Sequence, residues 1–221
     1  VMGVDGYKKA LVDLDNKALT GPEMVKALTE LKKVATYMDQ DGKGQDWNLE
    51  AGKVINGKAG MQIMGDWAKS EWTAAKKVAG KDYECVAFPG TDKAFTYNID
   101  SLAVFKQKDK GTAAGQQDIA KVVLGENFQK VFSINKGSIP VRRDLSLADF
   151  NPCAQLSRID YDRAEAAGNL MPSVADSMAL HPLYQKAVES ELYRFFNQPE
   201  LDREGVIRRL GAVARSASSK G

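Results

Sequence analysis

The apolar positions of the chain recur mostly at helical spacing. Met24, Leu28 and Leu31 lie three or four positions apart after Thr20-Gly-Pro, so we predict a helix that is capped by Thr20 and runs to about residue 38. The same periodicity predicts a short helix that opens at Trp47 and further helices at 69–78, 112–124, 126–134, 155–166, 183–196 and 203–217. The end of the chain, from residue 216, is predicted to fray.

Strand patterns are few and short by comparison. Residues 60–65 and 83–90 read as buried strands, and residues 94–105 read as a strand pattern that is interrupted near residues 98–100. The chain is therefore predicted to be an α/β protein in which many helices pack on a small mixed sheet. Because no Pro/Gly-rich linker divides the chain, the pattern argues against a clean split into two domains.

Composition and charge exclude some classes of function. Hydrophobic residues make up 43% of the 221 residues and charged residues 27%, as in an ordinary soluble globular protein. The formal net charge is only +2 and no basic block is interleaved with aromatics, so nucleic-acid binding has no support. No run of 18 apolar residues predicts a membrane span, and the first residues do not form a signal peptide.

Candidate chemistry lies where the apolar runs are interrupted. Asp66 and Trp67 stand at the exit of the predicted strand at 60–65, where an aromatic ring beside a hydrogen-bond acceptor suits a sugar. A half-buried structural tryptophan is the simpler interpretation of the same pair. Asp100 interrupts a strand pattern, and a carboxylate there is costly unless it is paired, binds a ligand or occupies a turn.

Three further residues carry weaker signals. Lys136 ends a predicted helix, where the helix dipole explains it, but it could also donate to ligand hydroxyls. Asp176 lies in a turn-rich segment, and with Asp100 it could form a glycosidase pair, which is the runner-up hypothesis. His181 is the single histidine, and no Ser or Cys nucleophile motif accompanies it. We therefore predict that its side chain packs against neighbouring residues or caps a helix. No metal-binding or cofactor-binding motif is present, and no cofactor is predicted.

Two cysteines, Cys85 and Cys153, stand far apart in the sequence. Neither lies in a CxxC motif or near a histidine cluster, which gives no support to a structural zinc site. From the residues alone they are either two buried thiols or one disulfide.

Five blocks of sequence together resemble a known family. They are INGKAGMQIMGDWAKSEW, CVAFPGT, FTYNIDSLAVFK, ENFQKVFSINKGSIPVRRDL and LMPSVADSMA, in that order between residues 55 and 179. Their order and spacing are similar to those of the periplasmic solute-binding proteins of carbohydrate ABC transporters. That family includes maltose-binding protein, and the blocks are most similar to its glucose/mannose-binding branch.

The resemblance implies a two-lobed, non-enzymatic protein that traps a sugar between its lobes and delivers it to the permease of an ABC transporter. Residues 1–221 would form the C-terminal half, mostly the C-terminal lobe with hinge-crossing segments, and the N-terminal half would be missing, which would explain the absent signal peptide. A periplasmic location follows from the resemblance, and with it a disulfide between Cys85 and Cys153.

The resemblance also assigns roles to single residues. Trp67 matches the stacking tryptophan beside Asp66, Asp100 matches an acid that binds hydroxyls, and Lys136 matches a lysine that donates to sugar oxygens. The glucose-type pattern Pro-Ser-Met-Ala-His-Gly reads Pro-Ser-Val-Ala-Asp-Ser here, so Asp176 replaces a histidine. The expected ligand is a hexose such as glucose, or else a different carbohydrate. Two rival functions stay open: a glycoside hydrolase, and a module that binds a peptide or a protein partner.

Overall fold

The computed structural model describes residues 1–42, 44–198 and 200–218, and the chain divides into two compact units. The first unit is built from Val1–Gly44, Lys93–Ile99 and Ala164–Gly221. The second is built from Gln45–Asp92 and Asp100–Arg163. The chain therefore passes between the units four times, and no single linker separates them in sequence.

Helices dominate both units. In chain order they are α1 (Gly3–Leu11), α2 (Asn16–Thr20), α3 (Pro22–Ala35), α4 (Trp47–Ile55), α5 (Lys69–Ala74), α6 (Lys110–Val123), α7 (Glu126–Lys136), α8 (Pro152–Ala166), α9 (Pro182–Asn197) and α10 (Arg203–Ser218). Short 3₁₀ turns occupy Gln40–Gly42 and Asp66–Ala68. No helix among the described residues is long and apolar enough to cross a membrane.

Every predicted helix is present, although some bounds differ. The helix predicted over 69–78 ends at Ala74, and the predicted cap at Thr20 is wrong. Thr20 is instead the last residue of α2. Asp15 caps the start of that helix by accepting a 2.7 Å hydrogen bond from the amide of Ala18. The α10 helix continues into the tail that was predicted to fray, and residues 219–221 lie outside the described residues.

The strand predictions were mostly wrong. Of residues 94–105 only β1 (Phe95–Tyr97) is a strand, and it pairs in parallel with β2 (Leu170–Pro172), which the sequence did not predict. The sheet predicted as mixed is thus a two-stranded parallel one in the described chain. Residues 60–65 form no strand, and in 83–90 only Tyr83 makes an isolated bridge.

The first unit has the larger apolar core. It forms where α1, α2, α3, α9 and α10 pack together, and burial of their apolar stripes is the main force that holds helices in water. The largest side chains that are fully buried are Leu19, Leu28, Val188, Phe195, Val206 and Leu210.

The second unit has two small cores and a disulfide. One core surrounds Trp72, whose ring centre lies 5.4 Å from that of Tyr83, and the other surrounds Phe150. A disulfide joins Cys85 to Cys153 at the start of α8, with 5.4 Å between the two Cα atoms. The covalent bond ties a segment without regular secondary structure to a helix that is 68 positions away in the sequence.

Candidate functional site

Trp67 lies in the tight turn that leads into α5. The turn is closed by a 3.1 Å hydrogen bond from the amide of Ala68 to the carbonyl of Gly65. The half-buried indole folds back over Gly65, where an added Cβ would lie 2.2 Å from two ring carbons. The absence of a side chain at Gly65 therefore lets the ring lie this close to the backbone.

Gly137 brings the end of α7 against this turn. It adopts a left-handed conformation with φ of 84°, and its amide donates to the carbonyl of Ser133 at 2.9 Å. A Cβ at this position would lie 3.1 Å from the carbonyl oxygen of Trp67 and 3.1 Å from the amide nitrogen of Ser70. The absence of a side chain lets two backbone segments meet, so Lys136 is held close to the Trp67 turn.

Lys136 forms an ion pair with Asp100. The side chains are 32% and 62% exposed, so solvent screens the pair and its contribution to stability is small. Within the second unit the structure thus pairs Lys136 with Asp100 and places the backbone of Trp67 against Gly137, the residue that follows Lys136.

Asp66 is anchored inside the same unit. Its Oδ2 accepts a 3.2 Å hydrogen bond from the hydroxyl of Ser157 and lies 3.6 Å from Nζ of Lys69. Lys69 is only 4% exposed. Burial lowers the pKa of Lys69, and the carboxylate of Asp66 partly opposes that effect. These contacts fix the residue directly before Trp67.

Sequence reasoning missed both partners of Asp66. Lys69 follows Asp66 by three positions at the start of a predicted helix, and this spacing was the available signal. Ser157 lies 91 positions away on α8, and nothing local in the sequence marks it.

Asp176 belongs to the first unit, in the loop that follows β2. Its Oδ2 accepts a 2.7 Å hydrogen bond from Ser173, and its amide donates back to the same hydroxyl at 3.1 Å. The loop is held by Tyr7, whose hydroxyl donates to the carbonyl of Pro172 at 2.7 Å and accepts from the amide of Val174 at 3.1 Å. Burial is the main cause that raises the pKa of Tyr7. No sequence pattern marks Tyr7 as a partner of this loop.

His181 is a helix cap, one of the two roles predicted for it. Its Nδ1 accepts a 3.3 Å hydrogen bond from the amide of Leu183 at the start of α9. The hypothesis of a glycosidase pair gains no support, because Asp100 is ion-paired with Lys136 and belongs to a different unit from Asp176.

Two surface grooves are lined by residues other than those predicted for the site. One, of about 630 Å³, is lined by residues of α6 and α7 that include Val122, Phe128 and Phe132. The other, of about 840 Å³, belongs to the first unit and is lined by residues that include Tyr7 and Tyr193. None of the predicted site residues lines either groove, and no group of three metal-ligating side chains occurs in the described parts of the chain.

Comparison with known proteins gives this geometry its context. The chain is 38% identical over 216 residues to a protein of Rhizobium meliloti named probable sugar-binding periplasmic protein, with 98% of this chain and 52% of that protein covered. The chain is therefore homologous to about half of that protein. A Mesorhizobium japonicum protein with the same name is 39% identical over 96% of this chain and 51% of its own length. No family model matches the chain.

A more distant relative carries a more specific name. The Xylose/arabinose-binding protein XacG of Haloferax volcanii is 26% identical over 81% of this chain and 38% of its own length. The Rhizobium meliloti and Mesorhizobium japonicum proteins are named as periplasmic binding proteins, and these two names confirm the predictions of a non-enzymatic protein and a periplasmic location. The chain spans about half the length of the two curated relatives named as sugar-binding periplasmic proteins.

Proposed function

We propose that this chain is the C-terminal half of a solute-binding protein that captures a sugar and delivers it to the permease of an ABC transporter. The observation that carries the proposal is that the ion pair of Lys136 and Asp100 lies next to the turn of Trp67, because Gly137 packs against that turn. Homology to proteins named as sugar-binding supports it independently.

Each residue of the group has a distinct role in this proposal. The indole of Trp67 stacks on the C–H face of the sugar, while Lys136 donates to ring or hydroxyl oxygens and Asp100 accepts from hydroxyls. Before binding, the ion pair keeps both charges compensated, and a sugar with adjacent hydroxyls takes over those hydrogen bonds. Asp66, anchored by Lys69 and Ser157, holds the turn and offers its carboxylate to the ligand.

The ligand is proposed to be a monosaccharide such as glucose, with a different carbohydrate as the second candidate. Asp176 stands where the glucose-type pattern has a histidine, so an acceptor-only carboxylate replaces a ring that can donate. The name of XacG favours pentoses as members of the second class. The remaining half of the protein would supply the rest of the cleft, and closure of two lobes around the sugar would create the form that the permease recognises.

Isothermal titration calorimetry of a polypeptide that joins this chain to the remaining half tests the proposal. Glucose, mannose, galactose, xylose, arabinose and one disaccharide are titrated in turn. One-to-one binding of a hexose supports the proposal, and a preference for a pentose or disaccharide supports the second candidate. Absence of heat with all six, from a polypeptide shown to be folded by circular dichroism, contradicts the sugar-binding role.

A further inference from the structure

The turn that holds Asp66 and Trp67 is connected to the disulfide through packed side chains of the second unit. The turn continues directly into α5, which carries Trp72. The ring centre of Trp72 lies 5.4 Å from that of Tyr83, and Cys85 follows Tyr83 by two positions. The segment that carries Cys85 is therefore held against the same short helix that follows the turn.

The helix α8 connects this segment back to the turn. The disulfide joins Cys85 to Cys153 in the first turn of α8. Ser157 lies four positions after Cys153, and residues four apart in a helix lie on the same face. The hydroxyl of Ser157 donates the 3.2 Å hydrogen bond to Asp66. We call the disulfide and this hydrogen bond together the α8 link.

Few buried side chains hold α8 in place within the second unit. Of the residues of α8 that lie in this unit, only Cys153 and Ala154 are buried. The side chain of Arg158 donates a 3.1 Å hydrogen bond to the carbonyl of Arg143. That acceptor lies in the segment shortly before α8, so this bond does not fix the helix relative to α5. The disulfide therefore supplies much of the constraint on the position of α8.

The carboxylate of Asp66 depends on the α8 link because its other partner is more distant. Nζ of Lys69 lies 3.6 Å from Oδ2 of Asp66, which is longer than an ordinary hydrogen bond. The bond from Ser157 is the shorter of the two contacts. Without that hydroxyl the carboxylate would be free to leave the position that it takes beside Trp67.

We infer that Ser157 is a positioning residue of the proposed sugar site, and that the disulfide of Cys85 and Cys153 sets the sugar affinity by fixing Ser157. The proposed role of Trp67 and Asp66 in sugar binding is the basis of this inference. A sugar that stacks on Trp67 and donates to Asp66 needs both groups in place beforehand, because a loose turn would have to be ordered on binding at a cost in affinity. The disulfide then acts on sugar binding as well as on stability.

Calorimetry of the polypeptide that joins this chain to the remaining half tests the role of Ser157. The probe is whichever of glucose, mannose, galactose, xylose, arabinose and the disaccharide the wild type binds most tightly. Ser157→Ala should raise the dissociation constant about fivefold or more, because a hydrogen bond to a charged group is lost. Ser157→Thr, which keeps the hydroxyl, should restore most of the affinity.

The matched control is Ser146→Ala, which removes an exposed hydroxyl elsewhere in the same unit and should bind like the wild type. Wild-type affinity in Ser157→Ala would overturn the inference. Equal losses in Ser146→Ala and Ser157→Ala would overturn it as well, because the effect would not then be specific to the α8 link.

A double-mutant cycle tests the role of the disulfide. Cys85→Ser/Cys153→Ser should also raise the dissociation constant, and addition of Ser157→Ala should raise it little further, since both changes break the same link. Multiplication of the two separate factors would overturn the inference. Gly57→Ala is the control for lost stability, because Gly57 belongs to the same unit and has φ of 69° with no atom within 4 Å of an added Cβ. It should keep wild-type sugar affinity, and a loss equal to that of the cysteine variant would show that affinity merely follows stability.

The cysteine variant should fold, because loss of a disulfide costs less than the usual stability of a domain. Circular dichroism at the temperature of the calorimetry checks this. If the variant is unfolded, Cys85→Ala/Cys153→Val, which fills the space with apolar groups, takes its place. Failure of both pairs to fold would overturn the inference, since the disulfide would then hold the whole unit rather than α8.

Hydrogen exchange without sugar separates this inference from the proposed function. In Ser157→Ala and in the cysteine variant, peptides that cover residues 65–69 should exchange ~10-fold faster or more than in the wild type, whereas peptides of α7 should change little. Unchanged exchange at 65–69 would overturn the inference and leave the proposed function standing. Faster exchange from a wild type that binds none of the six sugars would contradict the proposed function, and only the mechanical role of the α8 link would remain.

Discussion

Gly137 packs against the backbone of Trp67, and a Cβ built on it would lie 3.1 Å from the carbonyl oxygen of Trp67. The same residue ends α7 in a left-handed conformation. Both the backbone angle and the close contact therefore demand glycine at this position. Because Lys136 is the neighbouring residue, the distance between its backbone and the Trp67 turn depends on this glycine.

Replacement of Gly137 by alanine should destabilise the second unit by about 1–3 kcal/mol. Part of the loss comes from the left-handed angle and part from the crowding of Trp67 and Ser70. Urea unfolding followed by tryptophan fluorescence measures it. Gly57→Ala is the matched control, because Gly57 has φ of 69° with no atom within 4 Å of an added Cβ. Equal losses in the two variants would show that the close contact contributes nothing.

Replacement of Lys69 by methionine should stabilise the protein at neutral pH. Lys69 is buried, and Nζ makes no hydrogen bond among the described residues, although Asp66 lies 3.6 Å away. Burial lowers its pKa below the unfolded value of 10.5, so the charged form is the less favourable one in the folded protein. Methionine has a similar length and no charge to desolvate.

The effect of Lys69 should also depend on pH. Below the folded pKa the penalty of the charged ammonium is fully present, and it disappears as the pH rises through the folded pKa towards 10.5. The advantage of Lys69→Met should therefore shrink as the pH is raised from neutral towards 10.5 in denaturant titrations. Lys77→Met, at an exposed position, serves as the control. If the difference in unfolding free energy between Lys69→Met and wild type stays constant across this pH range, the lowered pKa of Lys69 is contradicted.

Helices could be predicted from the sequence because their hydrogen bonds are local. The end of α7 at Lys136 and Gly137 was predicted correctly, since a glycine after a periodic apolar stripe is itself the stop signal. The helices α1 and α2 were not predicted. The contact between Gly137 and the Trp67 turn could not be predicted either, because it joins segments that lie far apart in the sequence.

Strands could not be predicted in the same way. A strand needs a partner, and the sequence of an apolar segment does not say whether that partner is present. Residues 101–105 have the pattern without the pairing, whereas Leu170–Pro172 pairs with Phe95–Tyr97 although it is only three residues long and lies in a turn-rich segment.

Removal of the Tyr7 hydroxyl should destabilise the first unit by about 1–2 kcal/mol. The hydroxyl donates to the carbonyl of Pro172 and accepts from the amide of Val174, and Tyr7→Phe leaves both groups unpaired. Thermal unfolding measures the loss. Tyr37→Phe is the control because Tyr37 is 74% exposed. If both variants unfold like the wild type, the hydroxyl does not hold the loop that carries Asp176.

Loss of the disulfide should destabilise the second unit by roughly 2–4 kcal/mol, because Cys85 and Cys153 close a long loop in the unfolded chain. The double variant Cys85→Ser/Cys153→Ser is compared with the oxidised wild type in denaturant. A thiol assay on unfolded, unreduced protein should find no reactive thiol, and the same assay after reduction should find two. Two thiols before reduction would contradict the disulfide.

Truncation of Trp67 should weaken sugar binding in the complete protein more than it weakens folding. A stacked aromatic ring contributes about 1 kcal/mol beyond the area that it buries, so Trp67→Ala should raise the dissociation constant about fivefold or more. Trp67→Phe, which keeps an aromatic face, should restore part of the affinity.

The control for this prediction is Trp47→Ala at the start of α4, because Trp47 is 37% exposed and does not belong to the group of Trp67, Lys136 and Asp100. Calorimetry with the preferred sugar should give wild-type affinity for Trp47→Ala. Unchanged affinity in Trp67→Ala would remove the stacking role, and the candidate site would then consist of polar contacts alone. Equal losses in Trp47→Ala and Trp67→Ala would instead point to a general effect on folding, which circular dichroism of both variants would reveal.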